Sequence, residues 1–167
     1  MTQSEDGEDF PPAIGALLRL AWQAVRERIY EGVQEAGYTD LSRANVFLLR
    51  WPPFDGLRPS EIATRNQLSR QAINDLLSDL EKGGYLERVP DPTDGRARIV
   101  RFTERGWDLT QVIRDMSFTT EREWTRAIGE ARYAEFRDTL RELVAYGSPA
   151  GEAVLRGQSD WRPWATE

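Results

Sequence analysis

Residues 68–106 read LSRQAINDLLSDLEKGGYLERVPDPTDGRARIVRFTERG, and this stretch decides the fold. Its hydrophobic period changes twice. Ser69 stands as a helix N-cap, and Ile73, Leu76, Leu77 and Leu80 follow at helical spacing, so a helix is predicted from about residue 70. Gly83-Gly84 ends it, because glycine takes the left-handed conformation a helix C-terminus requires. Alternation then replaces the helical step, and residues 85–89 and 98–102 are predicted as two short strands. Between them Pro90, Asp91, Pro92, Thr93, Asp94, Gly95 and Arg96 are dense in turn formers and are predicted as a loop. Thr103 caps the next helix.

Upstream, Ile62 and Ala63 belong to a short helix that begins near residues 57–60 and breaks at Asn66-Gln67-Leu68. Another short helix follows the N-cap Ser42 and runs through Val46, Phe47, Leu48, Leu49 and Trp51 to the stop at Pro52-Pro53. Before it, Ile14, Leu17, Leu18, Ala21, Trp22, Val25 and Ile29 mark one face of a long helix ending near Gly37. Downstream, Leu109, Ile113, Met116, Thr120 and Trp124 lie along a second long helix that Gly129 interrupts. Tyr133, Phe136, Leu140 and Leu143 mark a last one before Gly147. Two short helices joined by a tight turn and followed by a hairpin make a winged helix-turn-helix. The fold class is mostly α with a small β-hairpin wing (α+β). Residues 1–11 read as a disordered acidic lead and 148–167 as a tail without assigned role. A long helix with a heavy apolar stripe needs a partner surface.

Composition excludes several functions. The 167 residues include no Cys and no His. Thiol redox sensing, disulfides, Cys/His zinc sites and His- or Cys-based catalysis are therefore out of reach. There is no phosphate loop or nucleophile elbow, and the carboxylates are scattered, so no enzyme, cofactor or metal is expected. No apolar run approaches the roughly 20 residues of a membrane span. The acidic start does not read as a secretory signal, and a cytoplasmic protein is expected. The net charge of −6 opposes phosphate binding, but it is unevenly spread. Residues 57–106 hold nine basic and eight acidic side chains, whereas the remainder is strongly acidic.

The helix after Ser69 turns its apolar residues to the core and leaves Arg70, Gln71 and Asn74 outside, within its first turn and a half. Arginine pairs with guanine edges, and glutamine and asparagine with adenine. The first turns of a recognition helix are also the part that enters the major groove. Ser69 can donate to a phosphate as well as cap. In the hairpin, Asp94, Arg96 and Arg98 form a second candidate set. Arginine on a β-arm reaches an adjacent minor groove, and Asp94 is placed to hold the Arg96 guanidinium in one orientation.

The run from Leu68 through Leu80-Glu81-Lys82-Gly83-Gly84, the wing Asp91-Pro92-Thr93-Asp94-Gly95-Arg96-Ala97 and the Thr103-Glu104-Arg105-Gly106 helix start together resemble the MarR family of bacterial transcriptional regulators. The likeness covers residues 41–106. It implies a homodimer on a pseudo-palindromic operator in double-stranded DNA, usually repressing transcription. It implies that residues 12–37 and 104–147 are dimerisation helices around a DNA-binding domain at 41–103. By position, Arg70, Gln71 and Asn74 match the family's recognition-helix readers and Asp94 and Arg96 its wing pair; together with Ser69 and Arg98 from the residue reading above, these are the expected DNA contacts. It also implies release by a small aromatic effector, for which Trp22, Phe47, Trp51 and Trp107 border the family's crevice. Three departures stand out. Gln67, beside an Asn66 that tolerates the left-handed conformation, replaces the family's usual turn glycine. Asp75 and Asp79 put acids on the reading helix. Without cysteine, the chain is no thiol-based oxidant sensor. The competing reading keeps the fold without DNA, as a winged-helix module for protein contact.

Overall fold

The computed structural model describes residues 12–49 and 53–147. Among these described residues, six helices and one hairpin follow in the order α1 (Ile14–Glu35), α2 (Arg43–Leu48), α3 (Pro59–Asn66), α4 (Arg70–Lys82), β1 (Leu86–Asp91), β2 (Asp94–Phe102), α5 (Glu104–Ile128) and α6 (Glu130–Gly147). The fold is mostly helical with a two-stranded antiparallel wing. Contacts divide the chain into two units after Thr120.

In the first unit, helix starts follow the cap residues. Ser42 Oγ accepts from the Asn45 N–H, and the Asn45 side chain accepts from the Ser42 N–H in return. Ser69 Oγ accepts from the Ala72 N–H at 3.1 Å, and Thr103 Oγ1 from the Gly106 N–H at 3.1 Å. One face of each helix then goes inward. Val33 of α1, Val46 of α2, Ile62 of α3, Ile73, Leu77 and Leu80 of α4, Val100 of β2 and Leu109 of α5 meet in one core with the buried Tyr85. The last turns of α1 belong to this core through Ile29, Gly32 and Val33. Gly106 is required by proximity: a Cβ there would stand 2.0 Å from the Tyr85 carbonyl oxygen.

The wing differs from expectation. Strand β2 begins at Asp94 instead of residue 98, and β1 continues to Asp91, so the predicted loop 90–96 is strand closed by a tight turn. Pairing runs from Leu86–Phe102 out to Asp91–Asp94, with an irregularity between Pro90 and Asp91. Pro90 has no N–H to give the ladder, and a bulge absorbs the mismatch. The segment before α3 lies along the other edge of β2. Gly56 N–H donates to the Val100 carbonyl at 2.7 Å, and Val100 N–H to the Leu57 carbonyl at 2.9 Å. Asp55 completes this edge, accepting from the Phe102 N–H and from Arg101.

The turn between α3 and α4 also differs in detail. Asn66 stays helical, with its side-chain amide donating to the Ile62 carbonyl, and Gln67 takes the left-handed conformation at φ 54°. In the second unit, Gly129 at φ 89° separates α5 from α6. No residue of α6 is buried, and Phe136, Leu143, Val144 and Tyr146 are exposed. Among the described residues no helix is long and apolar enough to cross a membrane, and no cluster of acidic side chains could hold a metal ion.

Candidate nucleic-acid interface

Helix α4 presents opposite faces to core and solvent. Ile73, Leu77 and Leu80 are buried, and Ser69, Arg70, Gln71 and Asn74 are exposed. Ser69 uses an oxygen lone pair for capping, which leaves its O–H free to donate. Asp94, Arg96 and Arg98 are exposed on the wing. Both arginines lie on strand β2, Arg98 as predicted and Arg96 instead of in the loop, and being two residues apart they project to one face.

The two sets share a cleft. Arg70 and Asn74 of α4, Ala97 and Arg98 of β2, and Arg58, Pro59 and Ser60 at the start of α3 line a cavity of about 400 Å³. The opening of α4 and the wing therefore lie on one side of this unit. Gln71 and Arg96 are exposed but do not line the cleft.

Asp94 does not hold the Arg96 guanidinium. Its Oδ1 accepts from the Arg96 backbone N–H at 3.1 Å, which shapes the turn. Its Oδ2 lies 3.6 Å from Arg58 Nη2. Arg58 is the residue that sequence reasoning missed. Its Nε donates to Asp91 Oδ2 at 2.7 Å, and Nη2 approaches the same oxygen at 2.6 Å. The other Asp91 oxygen accepts from the Thr93 N–H at 2.8 Å and the Thr93 hydroxyl at 2.7 Å. The Thr93 bonds and then Arg58 hold the Asp91 carboxyl down to about 2, against 3.8 ordinarily. Asp91 in turn raises Arg58, so both stay charged. The signal for Arg58 was present: it is a cation at an N-cap, where a side-chain oxygen is usual and the helix dipole disfavours positive charge. Such a residue needs an acid from elsewhere.

The candidate effector residues are not joined by any ring contact among the described residues. Phe47 lies under the Arg26 guanidinium, 3.9 Å from ring centre to Cζ. Trp107 packs at a tilt against Phe102, ring centres 4.9 Å apart, and Phe102 likewise against Phe54 at 5.1 Å, while Trp107 itself stays exposed. Trp22 is exposed on α1. Trp51 lies outside the described residues, as do the acidic lead and the tail.

A helix-turn-helix whose second helix shares a cleft with a β-wing defines a winged helix-turn-helix protein. The MarR family model matches residues 46–97. No curated protein matches the chain by sequence. Solved structures agree on the fold. A crystal structure of MarR is 26% identical over 95% of this chain and 100% of its own, with a TM-score of 0.64. The reduced form of MarR from E. coli matches at TM-score 0.67 with 18% identity, covering 80% of this chain and 97% of that one. A MepR mutant from S. aureus bound to an oligodeoxyribonucleotide matches at 0.54, with 17% identity, 83% and 100% covered. The segment 46–97 matches the MarR family model, and the chain has the fold of that family's transcriptional regulators, which are not enzymes.

Proposed function

We propose that this protein binds a pseudo-palindromic site in double-stranded DNA as a homodimer and represses transcription. The observation that carries this reading is the shared cleft of α4 and wing, with Arg70, Asn74 and Arg98 on its walls. Arg70, Gln71 and Asn74 read base edges in the major groove, Ser69 and Arg98 hold phosphates, and Arg96 enters the neighbouring minor groove. Asp94 shapes the turn that carries Arg96. Homodimerisation is supported by α6, which has no buried residue yet exposes Phe136, Leu143 and Val144. It is supported again by Ile14, Leu17 and Leu18, exposed on α1. Apolar faces of that kind mark protein contacts. Release by a small aromatic compound is the family's common device, and exposed Trp107, packed on the tilted Phe102–Phe54 pair, is the aromatic surface that would meet it.

Selection from a random duplex pool tests the reading. It should return two half-sites about one helical turn apart, and Arg96→Ala should weaken binding to the selected duplex by about tenfold or more. Binding no tighter than to unselected DNA would leave the protein-contact module as the better account, which Asp75 and Asp79 on α4 favour.

A further inference from the structure

We propose that Arg58 is a positioning residue for the wing. Its ion pair with Asp91 latches the outer hairpin to the start of α3 and so sets the distance from Arg96 and Arg98 to the reading turn of α4. The role rests on the DNA-binding reading above, and the latch itself does not.

The argument begins with an anomaly. Arg58 is the N-cap of α3, makes no side-chain cap bond, and leaves capping to Glu61, whose carboxylate accepts from the Arg58 N–H at 2.7 Å. A guanidinium at the positive end of a helix is unfavourable by itself. Here it is turned away to the wing, where Nε and Nη2 converge on one oxygen of Asp91. Asp91 is 7% exposed, and both its oxygens are engaged. Planar guanidinium bonds to a carboxylate are directional, so this pair fixes an orientation as well as a distance.

The pair joins the wing at the position that needs it. The base of the hairpin is already held, because residues 55–57 bond along β2 at Val100 and Phe102. Asp91 is five residues further out on β1 than Leu86, at the bulge after Pro90. A two-stranded arm is weak alone, and a bulge adds twist. The latch stops that twist from moving the arginines. It also offsets the Asp91 and Asp94 charges, which would otherwise repel a phosphate strand entering the cleft.

The alternative is that Arg58, which lines the cleft, binds a phosphate directly. Arg58→Met, Asp91→Asn, the double variant and Arg58→Lys distinguish the two, with the duplex selected by the wild type as probe. A latch predicts about tenfold weaker binding for Arg58→Met and for Asp91→Asn, and no further loss in the double. It predicts an unchanged salt slope, partial rescue by lysine, faster amide exchange across 90–98 in the free protein, and lost hydroxyl-radical protection at the wing's minor groove. A salt slope reduced by about one with wing exchange unchanged makes Arg58 a phosphate contact and overturns the proposal. Full affinity in Asp91→Asn overturns it too. If the wild type selects no duplex, the DNA reading and this role fall together, and wing exchange in Arg58→Met still decides whether the latch exists.

Discussion

The Tyr85 hydroxyl donates to Asp40 Oδ1 at 2.5 Å, tying the start of the wing to the loop between α1 and α2. Arg105 joins them from α5, donating to the Tyr85 oxygen at 2.8 Å and lying 4.3 Å over its ring. Three segments distant in sequence meet at one phenol, and Arg105 also donates to the Gly83 carbonyl. Burial first, then the bond to Asp40, pushes the Tyr85 hydroxyl up to about 12 from 10.0.

Tyr85→Phe removes one donor and one acceptor, while Asp40 and Arg105 remain open to water. The expected loss is about 1 kcal/mol, or a fall in Tm of roughly 2–4 °C for a chain of this size. Because the folded protein raises the phenol's pKa, the neutral form is the one the fold favours. Stability from this site is whole below pH 10 and declines as pH rises toward about 12. Absorbance at the tyrosinate band, compared between wild type and Tyr85→Phe, should show one late-titrating phenol. Its absence would mean the hydroxyl is solvated.

The Asp91 carboxyl titrates in the opposite sense. Its pKa is lowered on folding from 3.8 to about 2, so its contribution is present above pH 3.8 and lost as pH falls toward 2. The Tm gap between wild type and Asp91→Asn should be constant at neutral pH and close over that acid window. A gap that stays open at pH 2 would show that Asp91 matters through shape instead of charge.

Gln67 carries a strained backbone at φ 54°, where a side chain costs about 1 kcal/mol that glycine does not pay. Gln67→Gly should raise Tm by roughly 2–4 °C, and Gln67→Val should lower it. DNA binding per folded molecule should change little, because the turn geometry is the same. A glycine variant that melts lower would place the strain elsewhere.

Periodicity made the helices legible: stripes such as Ile73, Leu77 and Leu80 have one buried face wherever they fall. Caps were legible for the same local reason, at Ser42, Ser69 and Thr103. The wing turn was misread because Pro90, Pro92 and Gly95 are turn formers locally, whereas pairing across the hairpin keeps most of them in strands. The left-handed residue was legible from Gln67 standing where the family's turn glycine is usual; Asn66, the more tolerant neighbour, stays helical with its amide committed to the Ile62 carbonyl. Arg58 escaped notice because its partner lies 33 residues away, and pairing at that range leaves no periodic trace. The exposed polar set on α4 was readable as exposed, but only the fold brings Arg70 and Asn74 to the same cleft as Arg98.

Asp75 and Asp79 give the sharpest sign test of the DNA reading. Both are exposed on α4, about one and a half and two and a half turns beyond Arg70. Asp79 has Lys82 Nζ at 3.5 Å to offset it, whereas Asp75 has no ion pair among the described residues. Like charges 4 Å apart in water repel by about 1 kcal/mol, so removing one gains no more than about fivefold in affinity. Asp75→Asn should therefore tighten DNA binding by a few fold at low salt, Asp79→Asn by less, and both gains should shrink as salt screens them. In the competing account the acids are part of a protein-binding face, and neutralising them leaves DNA association unchanged. A titration of both variants against the selected duplex at two salt concentrations separates these outcomes, because an acid lying against a phosphate backbone gains more from neutralisation than one a Debye length away, whose gain salt removes first.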